Sequence, residues 1–237
     1  MKLTKKKVFV SALALCLVAI LSMGTLAWFN ASDEVTNEFL IADSNKDNDN
    51  LPDFSIEVLE NVPGKNGDDD GHTYTNLQPG DELKKELYAE NTGMYKQYVR
   101  MIVKISDANA WIAANRKYNF VGNSMYIFEH LVDIDTTNWK RFDEPTLVDN
   151  ELVYVYYYAK PLEKGKETEK LFTKVTIPGA LQQADMDFGS STGFTINAKA
   201  EAVQVKNIPV NDTHAYDNAR EAFAYVGWTA GADYPQN

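Results

Sequence analysis

Oxygen-bearing side chains recur at near-alternate positions between Asp43 and Asp53: Asp43, Asn45, Asp47, Asp49 and Asp53 in DSNKDNDNLPD. A hard cation takes six to eight oxygens at short range, and alternating Asp and Asn along one loop supply them. The run therefore reads as a calcium loop. It departs from an EF-hand in having Asn48 at the glycine position and no terminal glutamate. The competing reading is a solvated acidic linker. Asp68-Asp69-Asp70 is a second acidic cluster, and its setting between Gly67 and Gly71 reads as a polar loop.

The three histidines, His72, His130 and His214, form no H-E-x-x-H pair and share no metal-ligand spacing. Glu129-His130 is the nearest approach to one and reads as a surface or half-buried histidine. There is no G-x-S-x-G elbow, no Walker A loop and no dinucleotide-binding glycine pattern. Motif reading thus assigns no catalytic residue and no required cofactor; calcium is the cation the acidic loop would suit. Tyr154, Tyr156, Tyr157 and Tyr158 form an aromatic run that reads either as a ligand-stacking surface or as a strand buried on both faces.

These residues follow a leader. Lys2, Lys5, Lys6 and Lys7 precede an apolar run from Val8 to Leu21 and a small-residue exit at Gly24, Thr25 and Ala27. That is the pattern of a secretory signal peptide. The run is shorter than the roughly 20 residues of a membrane-spanning helix, so cleavage between Ala27 and Trp28 is favoured over a retained anchor. Cleavage removes four of the 23 Lys+Arg and none of the 34 Asp+Glu, taking the net charge from −11 to −15. A charge of that sign disfavours nucleic acid and anionic lipid as partners. The only cysteine, Cys16, leaves with the leader, so the mature chain is expected to be secreted and without disulfides. Its contact with a membrane is through the uncleaved leader.

The elements that must position any site are mostly strands. In residues 28–42, WFNASDEVTNEFLIA, the apolar Phe29, Ala31, Val35, Phe39 and Ile41 all fall on odd positions, with Asp33 and Asn37 breaking that side. Period-two alternation is expected of a strand with one buried face. An acidic linker, residues 43–53, separates it from the rest. FSIEVLE (54–60), LKKELYAENTG (83–93), YVRMIVKIS (98–106), ELVYVYYYA (151–159), KLFTKVTIP (170–178) and FTINAKAEAVQV (194–205) read as further strands. In the last, the apolar set moves from even to odd positions, which predicts a bulge near Ala202. DANAWIAANR (107–116) reads as a helix capped by Asp107, MYIFEHLVDI as strand or helix, and the segment from Asp212 as a closing helix with Ala222, Phe223 and Val226 inward. The expected fold is all-β with minor helices: an antiparallel β-sandwich over residues 54–237 with an insertion around 107–150.

Two stretches taken together, GTLAWFNASDEVTNEF at the leader junction and NLQPGDELKKELYAENTG (76–93) followed by YVRMIVKI, resemble the TasA/camelysin family of exported Gram-positive proteins. FTINAKAEAVQV also looks like that family's last core strand. The resemblance implies a jelly-roll-like sandwich, a leader cut by a dedicated signal peptidase, and biofilm-matrix fibres in which one subunit's N-terminal strand completes the next subunit's sheet. Residues 107–190 fall outside it. On their own terms residues 28–42 suit donation too, being an alternating strand on a long tether, with Phe29, Ala31, Val35, Phe39 and Ile41 as the interface. An ordinary first strand pairing within its own sandwich is the alternative.

The leading expectation is a secreted structural protein of the matrix or cell surface. Its main partner would be itself, head to tail, with an accessory matrix protein as a further candidate. A monomeric adhesion or ligand-binding module, and a camelysin-type surface metalloprotease, are the rivals.

Overall fold

The computed structural model describes residues 30–35, 55–61, 77–181, 193–206, 208 and 215–227. Ala27, Trp28, Phe29, Phe39, Ile41, the whole acidic run from Asp43 to Asp53, Asp68 to Asp70, His72 and His214 lie outside the described residues.

In chain order the elements are β1 (Asn30–Val35), β2 (Glu57–Asn61), β3 (Glu82–Glu90), β4 (Gln97–Ile105), α1 (Ala108–Tyr118), a 3-10 turn (Ser124–Tyr126), α2 (Ile127–Leu131), β5 (Trp139–Arg141), β6 (Thr146–Val148), β7 (Glu151–Tyr158), β8 (Phe172–Thr176), β9 (Ile196–Gln204) and α3 (Ala215–Tyr225). They build an all-β sandwich with minor helices. The larger sheet runs β1-β9-β4-β7-β5, with β6 also on β7, and the smaller runs β2-β3-β8. Every pairing is antiparallel.

The two central strands of the larger sheet are apolar at consecutive positions because both their faces are covered. Val99, Met101, Val103 and Ile105 of β4 and Leu152, Tyr154, Tyr156 and Tyr158 of β7 face the smaller sheet. Tyr98, Ile102, Val153, Val155 and Tyr157 face α3, which supplies Ala219, Ala222 and Phe223. Burying an aromatic or large aliphatic side chain contributes about 1.5–3 kcal/mol, and the eight apolar positions of β7 and its exit, from Leu152 to Ala159, are all buried. The tyrosine run is therefore core, and the ligand-stacking reading of it fails.

β4 and β7 are neighbours, so residues 106–150 form an excursion that leaves and rejoins the same sheet. Trp111 of α1, Ile127, Phe128 and Leu131 of α2, and Trp139 of β5 all add to the inter-sheet core. The ambiguous MYIFEHL segment is the 3-10 turn followed by α2.

Two local expectations are corrected. The register of β9 with both β1 and β4 runs unbroken through Ala202, so no bulge lies there. The apolar set changes parity because Ala198, Ala200 and Ala202 face the inter-sheet core, while Val203 on the opposite face lies under α3. A register shift does occur, between Lys84 and Leu87 of β3 against β8. Asp107 occupies the N-cap position of α1 but has φ 58 and makes no side-chain cap bond. Its carboxylate accepts from the Ser106 hydroxyl instead. The helix is capped from elsewhere, Asn109 N–H donating to Asn150 Oδ1 at 2.9 Å.

The LQPGD…NTG stretch has a structural explanation. Gly80 takes φ 93 in the turn entering β3, and the Gln78 N–H donates to Asp81 Oδ2. Asn91, closed to solvent, gives Nδ2 to the carbonyls of Tyr95 and Leu162 and accepts from Gly93 N–H.

Candidate assembly site at the β1–β9 edge

β1 is the edge strand of the larger sheet, bonded along one side to β9. Its six residues pair in sequence from Asn30 opposite Val203 to Val35 opposite Ala198. Directly opposed residues in an antiparallel pair share a face. Ala31, Asp33 and Val35 thus sit at the register positions of Ala202, Ala200 and Ala198, the core-facing set. Of the residues expected to form a donor interface, Ala31 and Val35 are placed here, and Phe29, Phe39 and Ile41 lie outside the described residues.

The strand that receives β1 is β9. On the core side it offers three buried alanines, Ala198, Ala200 and Ala202. At the end of the slot Gln97 and Gln204 oppose one another across β4 and β9, and both are buried. Gln97 Nε2 donates to Ser55 O at 2.9 Å. Neither amide oxygen has a partner among the described residues.

On the other side, β9 carries charge. Arg100 of β4 opposes Glu201, and its Nε and Nη2 each lie 2.6 Å from Glu201 Oε2. Lys199 Nζ is 3.3 Å from Glu201 Oε1. The Arg100 guanidinium also sits 4.5 Å from the Phe223 ring centroid, so α3 roofs the pair. Tyr157 lies in the same layer, and burial holds its phenol above the usual tyrosine range. A charge so buried needs a partner to be tolerated, and the cross-strand register provides it.

Comparison with known protein families, with curated proteins and with solved structures finds no match. Function must therefore be argued from the geometry.

The other candidate chemistry lies apart from this edge. His130 is exposed at the end of α2 and stacks on Phe120 with ring centroids 5.9 Å apart. Glu129 beside it is taken by Arg141 Nε at 2.7 Å and by the Tyr156 hydroxyl at 3.0 Å, a clamp between α2 and the sheet. Among the described residues, no group of three or more His, Cys, Asp or Glu is placed to hold a metal ion. No helix among them is long and apolar enough to cross a membrane.

Sequence reasoning missed Arg100, Lys199 and Glu201. Their signal was a run of polar residues on one parity of β9, Asn197, Lys199 and Glu201, opposite an all-alanine parity.

Proposed function

We propose that this protein is a secreted structural subunit that polymerises outside the cell into fibres, each chain lending its N-terminal strand to the edge of the next, in the manner of the TasA/camelysin proteins it resembles. In the structure β1 pairs with β9 of its own chain, the alternative arrangement; what supports exchange is that β1 is an edge strand joined to β2 through residues 36–56. At about 3.3 Å per residue a connection of that length spans on the order of 70 Å when extended, enough to carry β1 to a neighbouring sandwich. The β9 edge accepts the same main-chain bonds from its own β1 or from another copy's. An acceptor at one chain's edge filled by the next is head to tail, and such contacts generate open filaments when the rotation does not close. In this reading the leader delays assembly until a signal peptidase releases the strand, and an accessory matrix protein is a candidate second partner. Calcium at residues 43–53 would stiffen the tether and is not required by the exchange.

Cysteine cross-linking tests the exchange directly, since the only cysteine of the chain is in the leader. Ala31 and Ala202 are register partners. Mature chains carrying Ala31→Cys are mixed with mature chains carrying Ala202→Cys and oxidised. Strand exchange predicts a disulfide-linked species of twice the subunit mass joining one chain of each kind. Only unlinked or like-with-like products would count against it.

A further inference from the structure

The outer face of β9 carries a feature that main-chain pairing alone does not need. The Glu201 carboxylate gives one oxygen to both nitrogens of Arg100 at 2.6 Å and the other to Lys199 at the longer distance of 3.3 Å. The Lys199 side chain is 17% exposed and shares a carboxylate already matched by an arginine. An acidic residue directly across the strand pair from such a lysine stabilises the pairing. In the register of β1 with β9, Glu34 is the residue directly opposite Lys199, and the small, neutral Ser32 is opposite Glu201.

We infer that Lys199 reads the strand lying in the β1 slot, selecting a carboxylate at position 34 and so a second copy of this chain in one register. This rests on the strand-exchange reading above. Opposite charges directly across an antiparallel pair stabilise it and like charges destabilise it. Sliding the strand by two residues in one direction sets Glu34 against Glu201, a like-charge contact; sliding it in the other sets Ser32 against Lys199, which leaves the ammonium with no new carboxylate. Sliding by one residue turns the apolar set away from the core. The core-side alanines do not discriminate between such registers, because the three positions are identical. The charged face supplies both register and partner choice, the attractive element and the repulsive one together.

The test uses mature chains starting at Trp28: wild type, Glu34→Lys, Lys199→Glu, the double variant Glu34→Lys/Lys199→Glu, and an equimolar mixture of the two single variants. Polymer is measured by pelleting and β1 docking by the thermal midpoint, at low and high salt. Each single variant is expected to raise the concentration needed for polymer about tenfold. The mixture and the double variant are each expected to recover most of that, and the differences are expected to shrink in high salt. Recovery in the mixture is the decisive result, because each variant's strand then meets the other's acceptor. Single variants that behave as wild type overturn the inference, as does a loss that neither the mixture nor the double variant recovers. If the wild type itself forms no polymer, strand exchange fails while the thermal midpoints still test the charge pairing. Recovery in the double variant but not in the mixture overturns the second copy as occupant.

Discussion

Lys85 Nζ of β3 lies 2.7 Å from Glu60 Oε2 of β2, and both side chains are nearly closed to solvent, at 7% and 3% exposure. This ion pair sits inside the smaller sheet and faces the sandwich interior with Val58, Leu87 and Ala89. A buried pair adds little over an apolar pair of the same shape, but breaking it strands a charge and costs about 3–5 kcal/mol. Lys85→Met is therefore expected to lower unfolding free energy by about that much, and Lys85→Met with Glu60→Leu to recover most of it. Urea unfolding of the two variants beside wild type measures both. A double variant as unstable as the single one would contradict this account.

The phenols of Tyr154, Tyr156 and Tyr157 are all held above the usual tyrosine range, burial being the largest cause for each. The Glu129 charge adds to the effect on Tyr154 and Tyr156. A pKa raised in the folded state contributes stability that is complete below the unfolded value, near pH 10, and is lost as pH rises above it. Titration of tyrosinate absorbance is expected to show these three ionising only together with loss of tertiary structure. Replacing Tyr156 by Phe should move that transition to higher pH. Smooth ionisation of every tyrosine in a folded protein would refute the burial.

Asp133 follows α2 and reaches across to β8, where its carboxylate accepts from the Thr173 and Lys174 amides and from the Thr173 hydroxyl at 2.6–2.9 Å. Burial pushes its pKa up, but these bonds outweigh it and hold the carboxyl below the usual range. Such a group contributes stability above the unfolded pKa of about 3.9 that fades as pH falls through the folded value. Asp133→Ala should be less stable than wild type at pH 7, with the difference shrinking below about pH 4. A difference independent of pH would mean the carboxylate charge is not involved.

Asn150 performs two tasks. It takes φ 66 in the two-residue turn with Asp149 that joins β6 to β7, and its side chain caps α1. Asn150→Gly keeps the turn, since glycine accepts positive φ, and should lose only the cap, about 1 kcal/mol. Asn150→Ala loses both and should be the worse of the two. Equal thermal midpoints for the two variants would show that the turn does not depend on this residue.

Strands with a long, regular alternation were legible in the sequence, 98–106 among them as a one-sided strand, and burial on both faces was one of two readings of the tyrosine run, because burial writes a period directly into residue choice. β5 and β6 were not, since three residues cannot establish a period. The bulge expected at Ala202 came from treating β9 as one-sided; its outer face turns apolar only where α3 comes to rest on it, a contact between residues distant in sequence. The cap of α1 failed for the same reason, its donor and acceptor being 41 positions apart. At the β1–β9 edge, the shared parity of Ala31 and Val35 was read from alternation alone. The facing residues Lys199 and Glu201 were not, because every two-residue slide preserves the alternation and only the paired structure fixes which residues meet.

Electron microscopy of purified mature protein in negative stain, beside a chain beginning at Asp43, tests the central claim most directly. Strand exchange predicts filaments from the mature chain and none from the shortened one, which keeps the β9 acceptor edge but has no strand to lend. Monomers from both chains across a range of pH and calcium, or filaments from the chain that lacks β1, would contradict it.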